Sequence, residues 1–148
     1  MAADADNRTI DPYLNFRFLV EIGSVVMGGF TECTGLSSKV NVVEYRAGGD
    51  AGSVRKLPGQ TSYPDVTLKW GLTDSAELYE WHRNIVQGNI ERKSCSIIIL
   101  GNDREEKVRW NLSHAWPSSW TGPSLNAKGS EVAIEEMTLT CESIERSK

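Results

Sequence analysis

The sequence predicts a mainly β protein: a single β-sandwich or barrel domain with one α-helix over residues 75–87. Three observations predict it. Apolar residues recur with period two in five segments, the pattern of strands with one face buried. Only one stretch shows helical spacing, with Leu78, Trp81 and Ile85 three and four apart. Turn-forming pairs such as Gly28-Gly29, Pro58-Gly59 and Asn102-Asp103 punctuate the chain. The 148 residues suffice for one domain with a real core. At 39 % hydrophobic and 24 % charged residues, the chain lies within the globular range.

Residues 15–22 alternate, with Phe16, Phe18, Val20 and Ile22 on one side and Asn15, Arg17 and Glu21 among the others. Gly28-Gly29 before residues 30–33 predicts a hairpin or bulged corner. Residues 39–45 form a short β-branched strand. Residues 65–70 set Val66, Leu68 and Trp70 against Asp65, Thr67 and Lys69. The helix has Asp74 as its expected cap, with Glu77 completing a capping-box-like pair and Gly88 as its stop. It most plainly covers one end or face of the sheets. In residues 94–100 the unbroken run Ile97-Ile98-Ile99-Leu100 predicts a strand buried on both faces. Residues 107–116 place Val108, Trp110, Leu112, His114 and Trp116 on one face, and residues 117–129 read as a polar loop. The last strand, residues 131–144, changes phase from Val132 and Ile134 to Met137, Leu139 and Cys141. A bulge near Glu135-Glu136 would repair it.

Little in the chain points to catalysis. His82 and His114 have no acidic or cysteine residue at metal-ligand spacing, so they read as structural histidines. Residues 48–53 are glycine-rich but lead back to a strand, whereas a phosphate loop opens a helix. Trp70, Trp81, Trp110 and Trp116 fall on apolar faces and read as core, leaving Trp120 as a possible contact residue. A net charge of −4 argues against a partner held through nucleic-acid phosphates. No apolar run approaches the ~20 residues of a membrane span, and the polar start MAADADNRTID lacks a signal-peptide layout. Cys33, Cys95 and Cys141, isolated and odd in number, read as buried thiols of a reducing compartment. Neither a cofactor nor a metal site is expected, and an enzyme is not.

The distinctive stretch is EYRAGGDAGSVRKLPGQTSYPDVTLKWGLT, residues 44–73. It predicts a long loop over residues 46–58, which carries Arg46, Gly48, Gly49, Asp50, Arg55, Lys56, Leu57 and Pro58. A loop of this length inside a small domain is usually functional, and its charges and glycines suit an arm reaching a neighbour. Two readings follow. A small β domain with open strand edges can pair them with copies of itself around an axis. Alternatively, the fold is a monomeric β-barrel module binding a ligand in its mouth. A ligand barrel needs an apolar cavity with a few polar groups, whereas these strands alternate between an apolar and a charged face.

The motifs Gly35-Leu36-Ser37-Ser38, Glu44-Tyr45-Arg46, Gly48-Gly49-Asp50, Arg55-Lys56-Leu57-Pro58-Gly59 and Val66-Thr67-Leu68-Lys69 occur in one order. Gly71-Leu72-Thr73-Asp74, Ala115-Trp116-Pro117 and Asn126-Ala127-Lys128-Gly129 extend them. Together they resemble the tail tube proteins of contractile phages and the inner-tube proteins of related injection systems, from Asp11 onward. The resemblance implies one tail-tube domain over residues 1–148, with a polar arm at residues 1–12. It implies six-membered rings that stack into a rigid tube, with a sheath, baseplate and hub proteins as partners and DNA or protein as cargo. Sheath contraction would drive that tube through a target envelope. It further implies assembly in the bacterial cytoplasm, as part of a virion or of a particle that is released or membrane-anchored. Residues 46–58 would then join one ring to the next. Asp65, Thr67, Lys69, Lys107, Arg109 and Asn111 face water by the pleat, and the resemblance makes that water the channel.

Overall fold

The computed structural model describes residues 12–46, 48 and 52–148. Residues 1–11 of the expected arm lie outside the described residues. In chain order the elements are β1 (Phe18–Ile22), β2 (Val25–Met27), β3 (Phe30–Thr34), β4 (Lys39–Tyr45), β5 (Arg55–Ser62), β6 (Val66–Gly71), α1 (Glu77–Val86), β7 (Lys93–Leu100), β8 (Glu106–Thr121), β9 (Ile134–Thr140) and β10 (Ser143–Arg146). The main sheet runs β2-β1-β7-β8-β9-β6-β3, with β10 also beside β8, and its pairings are antiparallel. It folds over on itself, and its two halves pack face to face. One core joins Val20, Ile22, Cys95, Ile97 and Leu112 of the first half to Val66, Leu68, Trp70, Met137 and Leu139 of the second. The mainly β sandwich with one helix is therefore present as the periodicity predicts.

The strand that joins the halves is β8. Its residues 106–115 pair with β7, and residues 116–121 pair with β9. Between them the register gains a residue, from Cys95↔Leu112 to Lys93↔Ala115, and His114 takes a φ of 51°. This bulge inverts the pleat. Leu112 and Ala115 are both fully buried. The expected five-residue apolar face is thus broken after Leu112. His114 stands exposed beside Glu142 at 3.2 Å, and Trp116 pairs with Thr140 on the face opposite Leu139. The expected loop over residues 117–129 is also shorter, because Pro117 to Thr121 continue the strand.

A second correction concerns β9. Its register with β6 is unbroken from Val66↔Leu139 to Gly71↔Ile134, so no bulge lies at Glu135-Glu136. The inward set is instead Glu135, Met137 and Leu139, because a carboxylate occupies a core position. Counting Glu135 as polar and therefore outward produced the apparent change of phase. Strand β7 is buried on both faces in its middle, at Cys95, Ser96, Ile97 and Ile98, while Ile99 and Leu100 at the end of the expected run are half-buried.

The helix closes one end of the sandwich. Trp81 is its buried anchor, with Leu78 and Ile85 half-buried on the same stripe. Trp81 Nε1–H donates to the Glu91 carbonyl at 2.8 Å. The expected Asp74 cap is absent: the helix begins after Ala76 with no side-chain cap, while Thr73 Oγ1 accepts from the Ser75 amide. Gly88, at φ 93°, ends it as expected.

Candidate assembly surface

Strands β4 and β5 pair only with each other, as a two-stranded ribbon standing off the main sheet. All seven residues of β4 are exposed, and so is every residue of β5 except Gly59. This corrects the long loop. Arg55, Lys56, Leu57 and Pro58 belong to β5, opposite Tyr45, Glu44, Val43 and Val42. Val40, Val42 and Val43 favour the extended backbone. Pro58 is tolerated because its strand has no second partner, so its missing N–H costs no further ladder bond. Residues 46–54 connect the two strands, and of these residues 46, 48 and 52–54, with Arg46 and Gly48, are described. Gly49 and Asp50 lie outside the described residues.

Pairing sorts the ribbon's side chains. Val43, Leu57 and Tyr45 share one face with Arg55, while Val42 and Pro58 share the other with the cross-strand pair Glu44 and Lys56. Val43 is 49 % exposed, Tyr45 51 % and Leu57 45 %, so an apolar face meets water in the isolated protomer. A two-stranded ribbon is at best marginally stable alone. An uncovered apolar patch on an edge is also the signature of an interaction site.

The ribbon is a continuation of the β3–β6 pair. Thr34 pairs with Thr67 and, one kink later, Lys39 pairs with Ser62. Gly35 forms that kink with φ 96°. A Cβ there would lie 2.2 Å from the Asp65 carbonyl oxygen, so only glycine fits.

The six residues expected to face water divide into two triads. Asp65, Thr67 and Lys69 lie on the outer face of the β3-β6-β9 half, where Lys69 pairs with Glu32 at 3.4 Å and Thr140 Oγ1 donates to Asp65 at 3.1 Å. Lys107, Arg109 and Asn111 lie on the outer face of the β1-β7-β8 half. There Arg109 bridges Glu106 at 2.7 Å and Glu21 at 3.5 Å, and Ser96 Oγ donates to Asn111 at 2.8 Å. Arg109 holds the Glu106 carboxyl below its ordinary range. The shared core separates the two faces, so the structure does not bring the triads together.

Other side chains serve the fold. Trp120, expected in a loop, sits on β8, where its Nε1–H donates to Glu135 Oε2 at 2.7 Å and its ring meets Tyr79 edge-on. His82 Nδ1 lies 3.1 Å from the Pro117 carbonyl. All three cysteines are free, and burial pushes the thiols of Cys33 and Cys95 up to about 11 and about 12. Among the described residues, no group of three His, Cys, Asp or Glu is placed to hold a metal ion, and no helix is long and apolar enough to cross a membrane. The interior that a ligand barrel would leave open is filled by Leu68, Leu112, Met137 and Leu139.

A search of curated proteins gives no match. Among solved structures, the chain is similar to one in the sheath–tube complex of an extracellular contractile injection system, PVC, in its extended state. The TM-score is 0.86 and the identity 28 %, over 99 % of both chains. It is similar to a chain of the anti-feeding prophage tube-terminating cap, with TM-score 0.85 and 34 % identity, again over 99 % of both. Hcp1 of Flavobacterium johnsoniae shares the fold at 14 % identity and TM-score 0.56, over 89 % of this chain and 95 % of that one. The model of the T4-like virus tail tube protein gp19 matches residues 14–145. The chain belongs to the T4-like tail tube protein family.

Proposed function

We propose that this protein is the tube subunit of a contractile injection particle and that it acts by assembly alone. One observation carries the reading: no residue of the β4–β5 ribbon is buried in its own protomer, yet the ribbon presents Val43, Tyr45 and Leu57 together. Family membership supplies the partner, a further copy of the chain. Relatives 28 % and 34 % identical come from a sheath–tube complex and a tube cap, which supports a sheath around this tube and terminal proteins at its ends. Rings stacked into a conduit, assembled in the bacterial cytoplasm and filled with cargo, complete the proposal. Residues 46–54 and the basic residues of β5 join one ring to the next.

The β3-β6-β9 half lines the channel in this proposal. The ribbon continues that half along its strands, toward the ring that receives it. Its outer face carries short polar and charged side chains, Asp65, Thr67, Lys69 and Thr138 among them. Lys107, Arg109 and Asn111 then belong to the tube's outer wall.

Two experiments test this. Replacing residues 47–54 with a short Gly-Ser turn, and separately Asp50→Lys, should leave a soluble protomer with a cooperative melt that stops at rings or protomers in negative-stain micrographs. Full-length tubes from the shortened chain would overturn the ribbon's role. With Lys69→Cys and Arg109→Cys, a bulky thiol reagent should label position 109 in bare tubes but spare position 69. The reverse pattern would exchange the two walls.

A further inference from the structure

We propose that a cleft at the α1 end of the sandwich is the socket for the ribbon of the next copy along the tube. A basic side chain from that ribbon enters it against Glu135. The inference rests on the tube reading and adds the receiving site.

The β3–β6 pair connects the two features. The ribbon leaves from the Thr34 and Val66 end, whereas Phe30, Trp70 and Gly71 at the opposite end line the cleft. Donor and receiver at opposite ends of one subunit are what open-ended, head-to-tail stacking requires. The ribbon is long enough for the part: eight residues of β5 extend roughly 26 Å at strand rise.

The chemistry of the cleft selects the guest. Its volume is about 330 Å³, and Met27, Phe30, Trp70, Leu78 and Tyr79 form the walls with Glu135 among them. Glu135 is only 4 % exposed, and among the described residues Trp120 is its one hydrogen-bond donor, at a single oxygen. It has no cationic partner among the described residues. A buried carboxylate with one neutral donor is costly until a positive group meets it. The aromatic walls favour the same guest, since ring faces attract an ammonium or guanidinium. Phe30 and Trp70 stand edge-on at 5.7 Å, and Glu77 adds a second carboxylate at the lining. At the other end of the molecule the ribbon offers Arg46 and Lys56, both exposed. Acidic, aromatic socket and basic ribbon are thus complementary within one sequence.

The test uses assembled tubes of the full chain in a Cys33→Ser background. Ser75 lines the cleft. Oxidised tubes carrying Ser75→Cys with Arg46→Cys, or with Lys56→Cys, should give a reducible ladder of linked protomers, and each single variant should give none. Separately, Glu135→Gln keeps an acceptor for Trp120 and should raise the protein concentration needed for tube growth at least tenfold. The protomer's melt should hold or rise, since a neutral amide is cheaper to bury than a carboxylate short of partners. Unlinked tubes from both cysteine pairs overturn the socket. A ladder accompanied by normal growth of the Glu135→Gln protein overturns the basic guest, because the cleft would then hold the ribbon's apolar edge. The ribbon-shortened chain separates the two proposals: if it still grows tubes, the ribbon's stacking role falls and the socket with it, while the tube reading stands. If it does not, and no ladder forms, the socket alone is wrong.

Discussion

The sandwich and the ribbon are made from the same vocabulary of β-branched and alternating residues, yet they differ in what they bury. In β6 every second residue is buried, and Val66 and Leu68 have no exposed surface. In β4 three valines and a tyrosine are all exposed. Burial is what makes a strand stable in its own protomer, since apolar area removed from water is the main driving force. The ribbon lacks it, and in the proposed tube its partner surface lies outside the protomer. One region encodes the fold, and the other, on that proposal, an interface.

Mutations should separate the two, and the largest effect belongs to the core. Leu112→Ala should cost about 3 kcal/mol in denaturant unfolding, and tubes should disappear with the fold. Val43→Asp on the ribbon should stay within about 0.5 kcal/mol of the parent in the same measurement, as exposed substitutions do, while micrographs show no tubes. A large unfolding shift for Val43→Asp would mean that the ribbon is part of the core after all.

The kink between the regions should respond in both ways. Gly35→Ala meets the Asp65 carbonyl and a left-handed backbone, so a loss of about 2 kcal/mol is expected by thermal melt. Tubes should also form poorly, because the ribbon is re-aimed. Next comes the buried carboxylate. Trp120→Phe removes the donor to Glu135 and should cost roughly 1–2 kcal/mol. Glu135→Gln on top of it should recover part of that loss, since a neutral amide is cheaper to bury than an unpaired charge.

The smallest effect is chemical, without a stability cost. Burial raises the Cys33 thiol from 9.0 to about 11, so less thiolate is present at pH 8 in the folded protomer. Alkylation should be about a hundredfold slower than for an ordinary cysteine, because the thiolate is the nucleophile. The rate should climb with pH up to about 11. A rate like that of the denatured chain would show the junction between sandwich and ribbon to be open.

Much of the sandwich was legible because its strands obey the two-residue rule. Val20 and Ile22 and the alternating Val66, Leu68 and Trp70 fall where the two-residue rule puts them, while β7 is buried on both faces as an unbroken apolar run suggests. The helix was legible through Trp81 and Gly88. Three features were not, each for a physical reason. An extra residue at His114 inverts the pleat of β8, and a left-handed histidine is invisible to a hydrophobic pattern. Glu135 occupies a core position, because Trp120 donates to it across the fold from a distant strand. The ribbon was hidden by Pro58-Gly59, which ordinarily mark a turn but here sit in a strand with a single partner. Of the assembly surface, the expected loop over residues 46–58 holds only as a connection ending before Arg55, because Arg55 to Pro58 belong to β5. The pairing that gathers Val43, Tyr45 and Leu57 on one face depends on a register no sequence pattern shows. The two triads likewise shared a polar pattern but not a surface, because alternation says which residues point outward and not which wall they belong to.

The long strand β8 has a mechanical consequence. Its sixteen residues carry hydrogen bonds to β7 in their first part and to β9 in their second, so one backbone belongs to both walls of the sandwich. A tube pushed from behind is loaded along its axis, and one layer of each sandwich would slide against the other if side chains alone joined them. Here that shear meets a covalent chain crossing from one layer to the other, and a six-fold ring would carry six such struts. Stiffness under thrust is then a property of connectivity, already present in each subunit before any neighbour arrives.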